Sequence, residues 1–277
     1  MPMIFEYSGS AGSPASNSSI WHLAVSQATV HDVRRLVDIE FHAFEDERTN
    51  QQLSYRDYTK PEHFERTVNI YTKALIGAEH RDSLAKATVR PRTNSKLDSA
   101  EQDSKTSFLR VANTESGETL SFIKWEVKRY IPEELLQSPG IGYAHEPRMN
   151  KDWFVLNEQI RRDYMGQTMH CYVGMLATEP CHQCNGAGIL LLNAMLAEAD
   201  DAGLMVYLEA TDTAKPMYEK HGFVSITELR FDPASYGICG LGLERQTVMV
   251  RGALGKCGER SKVKTWEATV AQAKAEI

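Results

Sequence analysis

The 277-residue chain contains no run of basic residues and no long apolar segment. Lysine and arginine total 31 against 37 acidic residues, a net charge of −6, and such a balance argues against nucleic-acid partners and polybasic membrane surfaces. The longest nearly apolar stretch, Gly186 to Ala197, is interrupted by Asn193 and falls short of the ~18 residues a spanning helix needs, so no membrane segment is expected. The first twenty residues lack the basic and continuous apolar regions of a secretory signal, and a cytoplasmic location is the expectation. Five cysteines, an odd number in a long chain, do not form the dense even framework of a small secreted domain, and reduced thiols are expected. Cys181-His-Gln-Cys184 has no second pair of ligands nearby, so no metal is expected.

What is present divides the chain into three parts. Residues 1–20, rich in serine and glycine, read as a flexible tail, and 253–277 as a C-terminal extension. Between them, residues 21–252 read as one domain. Leu23, Val25 and Gln27 alternate as a strand does, and Val33, Leu36, Val37, Phe41 and Phe44 follow at helical spacing after Thr29-x-x-Asp32. A second helix follows Pro61 and is expected to stop near Gly77. Residues 79–107 are polar and read as a flexible insertion. Phe108–Ala112 and Leu120–Val127 read as a hairpin around Asn113–Gly117, and a helix around Trp153–Tyr164 belongs to an inserted segment that could cover a site.

The chemistry lies further on. His170–Thr178 reads as a strand, Gln183-Cys-Asn-Gly-Ala-Gly188 as a glycine loop, and a helix with Leu192, Leu196 and Ala199 on one face runs to a stop at Gly203. The first turn of a helix exposes unpaired backbone N–H groups, and glycine lets an anion approach them, so a main-chain phosphate site is the functional reading and a tight packing turn the structural one. A P-loop would need lysine and serine or threonine where Ile189-Leu190 stand, and a dinucleotide fingerprint would need a third glycine in an early βαβ unit. A strand at Met205–Ala210, a short helix over Thr211–Gly222, and strands at Val224–Phe231 and Arg245–Val250 complete the pattern.

In that order the sequence resembles the GNAT superfamily of N-acetyltransferases. Gln183-x-x-Gly186-x-Gly188 is similar to the family's acetyl-CoA loop, and Tyr218-x-x-x-Gly222-Phe223 to a later motif, with the resemblance spanning about residues 22 to 251. It implies an α/β (α+β) fold with a central mixed, mostly antiparallel sheet, two strands splayed apart, and flanking helices. It also implies an enzyme that takes acetyl-CoA as co-substrate and transfers the acetyl group directly to an amine of a small molecule or peptide. The alternative is a catalytically inactive acyl-CoA-binding GNAT-like regulatory module.

The resemblance also implies roles. Met175, Leu176, Ala177 and Thr178 would bond the pantetheine arm, and the amides of Gln183, Cys184, Asn185, Gly186, Ala187, Gly188 and Ile189 would hold the pyrophosphate, with Lys215 nearby. Cys184 and Asn185 stand where relatives often carry a basic residue. Tyr218 would protonate the departing thiolate. For the base, counting back along the strand from Gln183 reaches Gly174 and Tyr172, neither suited at neutral pH. His170 is the nearest titratable candidate, with a water chain to bulk or to Glu126 as its competitor. Phe44, Trp125 and Tyr172, together with Tyr55, Tyr58, Trp153 and Phe154, are the candidates for an acceptor pocket.

Overall fold

The computed structural model describes residues 3–7, 21–55, 60–87, 105–139 and 147–275. One sheet contains β1 (Met3–Tyr7), β2 (Trp21–Gln27), β3 (Lys105–Asn113), β4 (Thr119–Lys128), β5 (His170–Thr178), β6 (Met205–Ala210), β7 (Val224–Phe231) and β8 (Glu244–Arg251). The spatial order is β1-β2-β3-β4-β5-β6-β8-β7. Every neighbouring pair is antiparallel except β5 and β6. The mixed, mostly antiparallel sheet expected from the resemblance is the one observed.

The helices are α1 (Val33–Ala43), α2 (Arg48–Tyr55), α3 (Pro61–Ala87), α4 (Pro132–Leu136), α5 (Arg148–Met165), α6 (Ala187–Asp201), α7 (Lys215–Lys220) and α8 (Trp266–Ala275). Strand alternation assigns them to faces, because successive side chains point to opposite sides of a sheet. Leu109, Val111, Ile123, Trp125, Cys171 and Val173 turn to one face and pack on Leu191, Leu192, Met195 and Leu196 of α6. Phe108, Phe122 and Ala177 turn to the other and pack on Leu36, Val37, Tyr71 and Leu75 of α1 and α3. On that second face Tyr207, Val248 and Val250 meet Tyr164 and Met165 of α5. Leu191 and Leu192 are fully buried, each contributing about 1.5–3 kcal/mol.

Several expected boundaries move. The tail expected over residues 1–20 includes a strand, since Met3–Tyr7 pairs with Trp21–Val25 along the sheet edge; residues 8–20 lie outside the described ones. α3 does not stop at Gly77 but runs to Ala87, because one interior glycine costs only about 1 kcal/mol and good helix formers follow it. The flexible insertion expected over 79–107 is thereby shortened at both ends, by α3 and by the start of β3 at Lys105; residues 88–104 lie outside the described ones.

The C-terminal extension is tied back to the domain. Asp200 at the end of α6 accepts from Arg251 Nη1 and Nη2 at 2.7 and 2.9 Å and from both terminal nitrogens of Arg260 at 2.7 Å. Tyr164 of α5 stacks on Trp266 and donates to the Lys264 carbonyl at 2.7 Å. No helix among the described residues is long and apolar enough to cross a membrane.

Candidate active site

The parallel pairing of β5 with β6 covers only His170–Tyr172 against Met205–Tyr207. Beyond it β5 continues to pair with β4 as far as Thr178, and β6 with β8 as far as Ala210, so the two strands part. The opening starts at a bulge: Trp125 faces Val173 and Lys124 faces Met175, leaving Gly174 without a partner on β4. A bulge bends its strand and ends regular pairing, and a glycine there has no side chain to obstruct what enters the gap.

Past the end of β5, a turn through Pro180–His182 leads to the loop that caps α6. Gly186 is the N-cap residue at φ +84° and Cys184 lies at φ +61°, a region glycine enters freely and other residues rarely. No side chain caps this helix end. Its first ladder bond is Leu190 N–H to the Gly186 carbonyl at 3.0 Å, so the N–H groups of Ala187, Gly188 and Ile189 precede the ladder. Gln183 Nε2 donates to the Thr178 carbonyl at 3.3 Å, joining the loop to the end of β5. A Cβ on Gly188 would meet Thr178 Oγ1 at 3.6 Å, so first turn and strand end are neighbours. Uncapped amides and the helix dipole favour an anion at such a helix start.

A cleft of about 550 Å³ runs through the gap between β5 and β6. From the α6 side it is lined by Val173, Leu208, Ala214 and Tyr218, and from the other by Glu40, Glu126, Arg161, Tyr172 and Glu209. Met175 and Leu176 edge it, as do Phe44, Tyr55, Trp153 and Phe154. Tyr58 lies outside the described residues. Tyr218 is 6% exposed, and burial pushes its phenol above the ordinary value, so it holds its proton through neutral pH. Lys215 opens α7 and lies within electrostatic reach of Glu228 on β7. Cys181 and Cys184 are free, exposed thiols.

Among the described candidates for the acceptor pocket and the base, two do not line the cleft. Trp125 is 2% exposed and packs against α6; its neighbours Lys124 and Glu126 reach the cleft instead, because alternation sends them to the opposite face. His170 is fully buried behind the paired segment of β5, and its ring Nδ1 lies 2.7 Å from the Thr168 carbonyl oxygen. Burial lowers its pKa to about 4, and it does not line the cleft.

Three carboxylates line the cleft: Glu126, which the sequence offers as part of the competing route for the base, and Glu40 and Glu209, which the motifs do not indicate. Glu40, 2% exposed, accepts from the hydroxyls of Tyr55 and Tyr71, and burial raises its pKa against those two bonds and Lys124. Burial would also raise Glu126, but Lys128 at 3.3 Å and Lys124 at 3.6 Å outweigh it and hold the carboxyl below its usual range. Glu209 is raised by burial. Each carried a signal in the sequence: Glu40 interrupts the apolar Leu36-x-x-x-Glu40-x-x-x-Phe44 stripe of α1, and Glu209 shares a strand face with the buried Tyr207.

A sheet opened at a bulge beside an uncapped, glycine-led helix is the architecture of the GNAT acetyltransferase fold. The comparisons agree with the resemblance read from the motifs. Residues 158–233, from the second half of α5 through β7, match the family model described as an acetyltransferase (GNAT) domain. The mosquito arylalkylamine N-acetyltransferase-like 5b structure superposes at a TM-score of 0.55 with 11% identity, covering 83% of this chain and 99% of its own. The Drosophila melanogaster polyamine N-acetyltransferase does so at 0.50 with 12% identity, covering 82% and 97%. These likenesses establish a shared fold. A search of curated protein sequences gave no match.

Proposed function

We propose that the protein is an acetyl-CoA-dependent N-acetyltransferase that transfers the acetyl group directly to an amine. The observation that carries this reading is the juxtaposition of the open β5 edge, the uncapped start of α6 and the cleft between them. Pyrophosphate oxygens would accept from the amides of Gln183–Ile189, and the pantetheine arm would lie along Met175–Thr178 in the place β6 vacates. The thioester would then reach the bulge at Gly174, with a backbone N–H near Leu176 polarising its carbonyl.

Two proton transfers complete the reaction: the acceptor must attack as a neutral amine, and the thiolate must leave as a thiol. Tyr218 supports the second role, as a buried, protonated phenol on the cleft wall. For the first, the carboxylates on the α5 face of the cleft are better placed than His170. Metal is not needed for this chemistry.

Calorimetric titration with CoA tests the binding half of the proposal. The wild-type chain should bind, and Gly188→Asp, which adds a carboxylate among the amides with room for its Cβ beside Thr178, should bind at least tenfold more weakly while remaining folded. Equal affinity in the two proteins would refute the assigned site.

A further inference from the structure

The cleft wall contributed by α5, β5 and β6 contains a donor atom and an acceptor atom that are both hidden from solvent and both without a well-formed hydrogen bond. Arg161 is 5% exposed. Its Nε donates to Tyr130 Oη at 2.9 Å and its Nη2 to Glu158 Oε2 at 2.6 Å, and the guanidinium carbon sits 3.7 Å from the centre of the Tyr172 ring. Its third nitrogen, Nη1, has no hydrogen-bond partner. On β6, Glu209 Oε1 is likewise hidden from solvent without a well-formed hydrogen bond, as is the hydroxyl of Tyr207 on the same strand face, although the Tyr207 and Tyr172 hydroxyls lie near enough to oppose the effect of burial on the carboxyl. Arg161 and Glu209 both line the cleft and lie within electrostatic reach of each other, yet neither satisfies the other's open valence.

A guanidinium nitrogen and a carboxylate oxygen that are hidden from solvent without a well-formed bond are costly until something bonds them. A ligand carrying an oxygen acceptor next to an amine would remove both costs. We propose that the acceptor is an α-aminoacyl group, its carbonyl oxygen bonded to Arg161 Nη1 and its amine held by Glu209 at the point where β5 and β6 part. This rests on the acetyl-transfer reading above and narrows its substrate class.

The proton chemistry agrees with that class. An α-amino group has a pKa of about 8, against about 10.4 for an alkyl ammonium, so a carboxylate can take its proton at far smaller cost. Burial raises the Glu209 carboxyl, which makes it a better proton acceptor than an exposed glutamate. Glu209 takes one proton from the ammonium, and the neutral nitrogen attacks the thioester carbon. The C–N bond forms and the C–S bond breaks, Tyr218 gives its proton to the sulfur, and the proton shed by the acylated nitrogen restores Tyr218. Glu209 returns its proton to solvent. A polyamine or arylalkylamine has no carbonyl oxygen beside its amine to bond Arg161, and so leaves the guanidinium nitrogen without its bond.

The test is thiol release from acetyl-CoA by the full chain with five acceptors: tyramine, spermidine, tyrosine, tyrosinamide and the peptide Tyr-Gly-Gly amide. Tyrosinamide or the peptide should exceed tyramine and spermidine at least tenfold in kcat/KM. Tyrosine separates free amino acids, whose carboxylate would bond Arg161, from chain N-termini. Arg161→Lys, which keeps the charge and loses the fork, should erase the preference for tyrosinamide over tyramine by raising KM. Glu209→Gln should lower kcat at least tenfold. CoA affinity by calorimetry should stay unchanged in both variants, showing that they fold. Turnover of tyramine or spermidine at or above tyrosinamide would overturn this proposal and leave acetyl transfer standing. An absence of release with every acceptor would overturn both.

Discussion

Tyr71 on α3 donates its phenolic proton to the Glu40 carboxylate on α1, adding a buried bond to two helices that also meet through apolar contacts and an exposed Arg34–Glu65 ion pair. Tyr55 on α2 donates to the other oxygen of the same carboxylate. Three helices over the cleft are thus fixed by one buried acid. Removing a donor from a buried acceptor costs about 1–3 kcal/mol, so Tyr71→Phe should destabilise by that amount in denaturant unfolding. In a Glu40→Leu background, where the acceptor is gone, the same substitution should cost far less. Equal costs in the two backgrounds would mean that the bond contributes nothing.

The thiolate's proton source gives a second prediction. Tyr218→Phe keeps the ring that packs on Phe223 and removes only the donor, so CoA affinity should survive while kcat falls roughly 10²- to 10⁴-fold, the usual worth of general acid catalysis. Because burial raises this phenol, any fall in wild-type rate caused by its ionisation should come above its ordinary value of 10.0. Steady-state rates on a verified acceptor would check both, and a near-normal kcat in the variant would remove the role.

Acid should loosen the ties that hold the extension and α5. Hydrogen bonds from Arg260 and Arg251 depress the Asp200 carboxyl well below its ordinary value of 3.8. Glu158 is held at about 2, its burial outweighed by Arg161 and Lys128. A depressed carboxyl binds fewer protons folded than unfolded, so the stability it confers is fully present above the unfolded pKa and is lost as pH falls through the folded one. Melting temperature should therefore decline below about pH 4.5, and Asp200→Asn should be less stable at pH 7 with a flatter acid decline. An unchanged acid profile in the variant would contradict this.

Much of this was legible in the sequence, for identifiable reasons. β5, the glycine loop, α6 and β6 were readable because strand alternation, a glycine cap and helical spacing follow one another without a break between His170 and Ala210. Their relative placement, and hence the splay, came through the family resemblance, since divergence between strands is a tertiary property no local pattern encodes. Ile123, Trp125 and Val127 alternate with Lys124, Glu126 and Lys128, and this period of two puts Trp125 on the core side of β4, away from the pocket that an aromatic residue suggests when taken alone. The titration range of a histidine says nothing about its burial, and His170 is fully buried. Arg161 and Glu209 come together from segments 48 positions apart, and only packing of α5 across β6 makes them neighbours.

Acetyl transfer itself is tested most directly by following free thiol as acetyl-CoA is mixed with the full chain and an amine panel that includes α-aminoacyl compounds, with mass analysis of the acceptor. The account predicts stoichiometric release of CoA and acetylated amine with at least one member, at a rate that collapses in Tyr218→Phe and in Gly188→Asp. Tight CoA binding with no thiol release from any amine would contradict it and would leave an acyl-CoA-binding module without catalysis.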